Sequence, residues 1–228
     1  MVANFVQTID GVVAIPGLER SNAIVAGDSE ADRFVVGLLR ACADAVLLGA
    51  RTMLASPRGL WRPEGVFPAA ADAFAELRSA RGRPDHPAVA VVSTGASLDP
   101  AHPVLAAGAT VLTTEAAAPA LRAAVPDASE VVAVNGGDRV DPARALDLQR
   151  ARGHAVILSE AGPTVFGALL ASGLVDELFV TVSPLVAGRG ASPRPSLAEG
   201  VELLPAVREE SALASVRSAG GHLFLRYR

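Results

Sequence analysis

With 228 residues, half of them hydrophobic and 19% charged, the chain can bury a large core and does not have the composition of a disordered segment. The net charge of −4 gives no basic footprint for a nucleic-acid backbone. All 20 basic residues are arginine, which excludes a lysine Schiff base, a pyridoxal-phosphate lysine and a Walker-type phosphate loop.

Read in chain order, the first apolar run, Val2 to Thr8, has strand character. The N-terminus has neither a basic region nor an apolar core of signal length, so a cytoplasmic location is expected. Ser29 to Ala43 reads as a helix capped by Asp28 or Ser29, with Phe34, Leu38, Leu39 and Cys42 recurring near the helical period. Cys42 is the only cysteine. That excludes a disulfide or thiolate metal cluster, no metal site is expected, and the residue reads as buried helix filler.

Ala45 to Gly49 is the next strand, followed by a Pro- and Arg-bearing loop over 56–68 and a helix over Ala69 to Arg81. Strands are then expected at Ala88 to Ser93, Thr110 to Thr114, Glu130 to Val134, Ala155 to Ser159 and Leu178 to Ser183. Helices are expected at Pro142 to Arg152 and Pro163 to Ser172, each opening on a first-turn proline. After a second mobile loop over 187–200, Ser211 to Arg217, a turn over Ser218 to Gly221 and His222 to Arg228 read as an antiparallel hairpin. Apolar runs such as Ala88 to Val92 fall far short of the roughly 20 residues of a membrane span, so no membrane partner is expected. Continuous apolar strands alternating with helices imply an α/β fold with a mainly parallel sheet covered on both faces. No linker divides the chain, and one domain over residues 1–228 is expected.

Two turns stand where ligands bind open parallel sheets, beyond the carboxyl ends of strands. In Ser159-Glu160-Ala161-Gly162-Pro163-Thr164 a strand gives way to a helix, whose N-terminus offers N–H groups and partial positive charge to a phosphate, while Gly162 lets the backbone come close. Gly49-Ala50-Arg51-Thr52 repeats the arrangement and adds a guanidinium and a hydroxyl. No G-x-G-x-x-G occurs, so this is not a Rossmann fingerprint. Together the turns suit a dinucleotide spread over adjacent strand ends. His86, His102, His154 and His222 are scattered and receive no role.

Several motifs run in one family order: Asn4-Phe5 with Thr8-Ile9-Asp10-Gly11, Leu38-Leu39-Arg40-Ala41, Asp44 to Thr52, Ser159 to Thr164, and Gly173 to Leu178. They resemble the pyrimidine reductases of riboflavin biosynthesis, a dihydrofolate-reductase-like family. The resemblance implies a three-layer α/β domain with a mostly parallel sheet and a C-terminal antiparallel hairpin. It also implies NADPH as cofactor, a ribosylamino-pyrimidine phosphate as substrate, and a homodimer. The deaminase half of bifunctional relatives, with its zinc ligands, has no counterpart in these residues.

Carried over, Gly49, Arg51 and Thr52 and the stretch Gly162, Pro163, Thr164, Val165, Phe166 and Gly167 would bind NADPH. Ser21, Arg40, Leu60 and Arg62 would bind substrate, and Glu160, with Asp10 second, would orient substrate or relay a proton. Alternatives stay open: Arg40 as a helix residue paired with an acid, Ser21 as a loop hydroxyl, Asp10 as a turn residue. Val12 stands where the family often has lysine, and Ser56-Pro57 where an acidic pair is usual; both departures fall on the substrate side. Within the enzyme class a dihydrofolate-type substrate competes; from another class, a module that binds NADPH without turnover does.

Overall fold

The computed structural model describes residues 1–95, 97–207 and 210–228. Its centre is a nine-stranded sheet in the order β5-β4-β3-β2-β6-β1-β7-β9-β8. The strands are β1 (Val2–Thr8), β2 (Ala45–Gly49), β3 (Ala88–Val92), β4 (Thr110–Thr114), β5 (Glu130–Asn135), β6 (Ile157–Ser159), β7 (Glu177–Ser183), β8 (Leu213–Ala219) and β9 (His222–Tyr227). From β5 across to β7 every pairing is parallel; β9 is antiparallel to β7 and β8 to β9. The expected α/β architecture, including the closing hairpin, is present. Gly220 and Gly221, at φ 55° and 81°, form a two-residue hairpin turn of the kind that matches strand twist. The turn is therefore shorter than Ser218 to Gly221.

Helices cover both faces. They are α1 (Ser21–Val25), α2 (Glu30–Cys42), α3 (Ala50–Leu54), α4 (Pro63–Val66), α5 (Ala71–Ala80), α6 (Pro103–Ala106), α7 (Ala118–Ala124), α8 (Pro142–Ala151) and α9 (Pro163–Ala171). On one face Val46, Leu48, Val91 and Val111 of the strands pack with Met53, Trp61, Leu105 and Leu121. On the other, Leu47, Ala90 and Leu112 pack with Leu146 of α8 and Leu169 of α9. Because side chains alternate along a strand, Leu47 and Leu48 enter opposite cores. That is why β2 reads as an unbroken apolar run.

The four long helices stand where periodicity predicts them. The short α1, α4, α6 and α7 were not foreseen, since four to seven residues hold too few turns to display a period. Helix α4 lies inside the segment expected as a loop over 56–68 and packs on α2. Cys42 is half-buried at the end of α2 rather than in the core.

The carboxyl end of α2 is anchored by Arg78 of α5, which is 1% exposed. Its Nη1 donates to the carbonyls of Arg40, Ala41 and Ala43, and its Nε to that of Pro84. Carbonyls at the helix end, where the ladder runs out of amide donors, thus gain a buried cation. Among the described residues, no helix is long and apolar enough to cross a membrane.

Candidate active site

A cleft of about 1710 Å³ runs across the carboxyl ends of β1, β2, β3 and β6. A pocket for one small ligand spans roughly 300 to 1,000 Å³, so there is room for a dinucleotide and a second molecule together. One end is built from the two turns read in the sequence. Because β2 and β6 are neighbours, the start of α3 and the start of α9 lie side by side. A Cβ placed on Gly49 would stand 4.0 Å from the Gly162 nitrogen, and Arg51 Nη2 donates to Thr164 Oγ1 at 2.7 Å. No side chain caps α9; Pro163 has no N–H and the Val165 and Phe166 amides donate to the Gly162 carbonyl at 3.1 Å, so the first turn offers the cleft the Thr164 N–H.

Gly162 has φ −68° and ψ 171°, ordinary extended backbone, so a left-handed conformation does not require glycine here. Space does: a Cβ would stand 3.3 Å from Thr52 Oγ1. Pro163, Thr164 and Val165 line the cleft with it, but Phe166 and Gly167 do not. Phe166 is 0% exposed and packs against Phe5, with ring centroids 4.8 Å apart and the rings tilted by 60°. A Cβ on Gly167 would meet the Glu199 carbonyl oxygen at 2.5 Å, so that glycine admits a neighbouring segment. The expected cofactor stretch therefore divides, because the first turn of α9 rotates residues 166 and 167 away from the cleft and into the core.

The other end of the cleft is polar. Arg40 of α2 and Glu160 after β6 form a two-pronged ion pair, Nε to Oε1 and Nη2 to Oε2, both at 2.7 Å, with side chains only 13% and 12% exposed. Arg40 Nη1 also donates to the Arg62 carbonyl at 3.3 Å. Arg40 is thus both a cleft residue and the partner of an acid. With both oxygens engaged, Glu160 is suited to orienting a ligand. Ser21, Leu60 and Arg62 line the cleft as expected; Leu60 also packs against the core.

Asp10 is not among the residues lining the cleft. Its carboxylate accepts from Thr8 Oγ1 at 2.5 Å and from the Ala187 and Gly188 amides at 3.0 and 2.8 Å. The Thr8 bond, with those amides behind it, lowers its pKa from 3.8 to about 2. Such a group stays ionised at neutral pH and clasps the loop after β7, a geometry that gives it to the loop and not to the reaction.

Sequence reading missed four parts of this cleft. Asn4 of β1, Ser93 and Thr94 after β3, and Arg139 after β5 all line it. So does Asp32 of α2, a buried acid. Val12, one of the departures from the family pattern, is fully buried, whereas Ser56 and Pro57 line the cleft without charge.

A mostly parallel sheet covered on both faces, with an outer hairpin and paired turns over two adjacent strand ends, defines an α/β fold shared with the solved structures named below. The chain belongs to the RibD C-terminal domain family, whose profile matches residues 1–217. Among solved structures it is similar to a pyrimidine reductase-like protein from Corynebacterium diphtheriae (22% identity, 100% of this chain and 90% of that one, TM-score 0.68). It is also similar to the diaminohydroxyphosphoribosylaminopyrimidine deaminase/5-amino-6-(5-phosphoribosylamino)uracil reductase of Thermotoga maritima (20%, 100% and 55%, TM-score 0.70). A third similar structure is the riboflavin biosynthesis reductase of Saccharomyces cerevisiae (15%, 100% and 88%, TM-score 0.61). The chain spans little more than half of the Thermotoga protein. No curated protein matches it in sequence.

Proposed function

We propose that the chain, acting as one domain, is an NADPH-dependent reductase of a riboflavin-type pyrimidine. The carrying observation is the pairing, in one cleft, of two phosphate-sized turns at one end with the Arg40–Glu160 pair at the other. Family membership supports the reductase chemistry, and the Thermotoga relative's name supplies 5-amino-6-(5-phosphoribosylamino)uracil as the substrate to try.

The residues present suit a dinucleotide phosphate. The Cβ-free cradle at Gly162, the uncapped start of α9, Thr52 Oγ1 and the exposed Arg51 guanidinium converge on one spot. A bound nicotinamide supplies two electrons and a proton to the substrate, and the chain supplies position, polarity and exclusion of water. Glu160, fixed by Arg40, holds the heterocycle through its N–H groups. Arg62 stands ready for a substrate phosphate. The test is NADPH oxidation on addition of 5-amino-6-(5-phosphoribosylamino)uracil; cofactor binding without oxidation of any pyrimidine or pterin would favour a non-catalytic binder.

NADPH should bind more tightly than NADH, because Arg51 can meet the extra phosphate and a charge-assisted contact contributes about 1.5–3 kcal/mol. That is roughly tenfold or more in dissociation constant. Arg51→Ala should narrow the gap, and equal wild-type affinities would remove the reason for choosing NADPH.

The functional unit we infer is a homodimer. Exposed Leu213, Val216 and Leu223 on the outer hairpin give it apolar surface to bury. Light scattering should return twice the 23.2 kDa of one chain, and a clean monomer mass would overturn the inference.

A further inference from the structure

Between α3 and α4, residues 55–62 run as a strap along one wall of the cleft, and each of them lines it. The strap begins with Ser56-Pro57-Arg58-Gly59, which has the residues a β-turn favours at its first, second and fourth positions. The Gly59 amide closes that turn on the Ser56 carbonyl at 2.7 Å. Beyond it Trp61 takes φ 52°, left-handed backbone that a bulky residue keeps only where its surroundings hold it there. Trp61 is 4% exposed and packs in one cluster with Val104 and Leu105 of α6. A Cβ on Gly59 would meet the Trp61 ring at 2.9 Å, so the glycine lets the turn fold down onto the indole.

The strap is held by its carbonyl oxygens. The Arg20 amide donates to that of Ala55 at 3.0 Å, Arg40 Nη1 to that of Arg62 at 3.3 Å, and His102 Nε2 to that of Ser56 at 3.0 Å. Arg20 and Arg40 themselves line the cleft, but His102 does not. It is 2% exposed and stands behind the strap at the start of α6, its ring centroid 6.0 Å from that of Trp61. Its partners fix its tautomer. Nδ1 accepts from the Val104 amide at 3.2 Å, so the hydrogen sits on Nε2 and points at Ser56. Capping α6 needs only an acceptor, which a short polar side chain would supply. The second nitrogen, donating outward to the strap, is what histidine adds.

We propose that His102 is a positioning residue of this reductase: through the Ser56 carbonyl it sets where the strap stands, and so where Leu60 and Arg62 meet the pyrimidine. The proposal rests on the reductase reading above. His102 touches neither substrate nor cofactor and acts through the backbone of residues 56–62. Without its hydrogen bond the turn is held only through Ala55 and Arg62, and a shift of about 1 Å in a positioning group is enough to impair a reaction. The effect falls on the substrate, because the turns at Gly49 and Gly162 lie outside the strap. It falls on KM more than on kcat, because contacts that place the substrate act alike in the ground state and the transition state.

Two variants separate the two nitrogens. His102→Asn puts an amide oxygen near the place of Nδ1, keeping the cap on α6 and losing the reach to Ser56. His102→Gln does the reverse, its longer amide reaching Ser56 and leaving Val104 uncapped. For the Asn variant, KM for 5-amino-6-(5-phosphoribosylamino)uracil should rise about tenfold, with kcat within about threefold and the NADPH dissociation constant within about twofold of wild type. Its melting temperature should stay near wild type, while acrylamide quenching of Trp61, the one tryptophan of the chain, should increase. The Gln variant should show the opposite: KM and quenching near wild type, and a lower melting temperature. An Asn variant with wild-type KM and a shielded Trp61 would overturn the proposal. So would KM following melting temperature in both variants, which is what a purely structural histidine gives. Should the Asn variant not fold, a Gln variant with a raised KM and an exposed Trp61 would overturn it alone, and one with both near wild type would support it. A wild type that binds NADPH but reduces no pyrimidine would instead overturn the functional reading, and quenching, which needs no substrate, would still decide whether His102 holds the strap.

Discussion

Gly162→Val is expected to weaken NADPH binding at least tenfold while leaving the protein folded. The backbone at 162, φ −68° and ψ 171°, is open to any residue, so valine brings no conformational strain. What it brings is volume. A Cβ at 162 would already press on Thr52 Oγ1 at 3.3 Å, and the two further methyl groups would occupy the space in front of the first turn of α9. A phosphate kept from that turn loses contacts of about 1 kcal/mol or more each. Two such contacts are enough for the expected loss, since about 1.4 kcal/mol is tenfold. Fluorescence titration with NADPH, alongside a melting curve, gives both numbers. A folded variant with wild-type affinity would take the pyrophosphate off this turn, leaving only Gly49 to Thr52 to hold the cofactor.

Arg40→Ala should be the most damaging change at the substrate end. It leaves the Glu160 carboxylate, only 12% exposed, without either of its 2.7 Å donors. Breaking a buried pair from one side costs about 3–5 kcal/mol, and in a protein of this size each kcal/mol moves the melting temperature by roughly 2–4 °C. Catalytic efficiency should fall by about a hundredfold or more, with NADPH affinity unchanged. A double-mutant cycle with Glu160→Gln separates stability from chemistry. The double variant should recover much of the lost melting temperature, because no charge is stranded, but none of the activity. If activity returned together with stability, the pair would be a structural brace and its place in the cleft incidental.

The scaffold was legible in the sequence because its signals are redundant. A strand buried on both faces, such as Ala45–Gly49, admits no polar residue, and the neighbouring β3 carries the same mark. The two turns were legible for the same reason: each joins such a strand to a helix opening, and the adjacency of β2 and β6 made them one site. Side-chain direction was harder to read. Thr164 and Val165 reach the cleft while Phe166 and Gly167, next in line, turn into the core, a difference of one helical step that motif matching passes over. Asp32 was hidden differently. Among Ser29, Glu30 and Asp32 it looks like first-turn charge beside a capping serine, and only packing against β7 and β9 reveals it as buried. The available clue was its spacing from Arg40, two helical turns on the same face.

Arg78 does not line the cleft, yet it bears on how accurately the cleft can be used. Its Nη1 reaches the carbonyls of Arg40, Ala41 and Ala43 at the end of α2 while its Nε reaches that of Pro84, a span over two segments that lysine's single nitrogen could not make in the same way. Helix α2 carries Asp32 and Arg40, so pinning its end fixes the bearing of both side chains before any ligand arrives. The entropy of ordering them is lost once, when the chain folds, instead of at every turnover. Preorganisation of this kind lets two polar groups on one helix act as fixed dipoles, and its origin is a buried cation on a neighbouring helix.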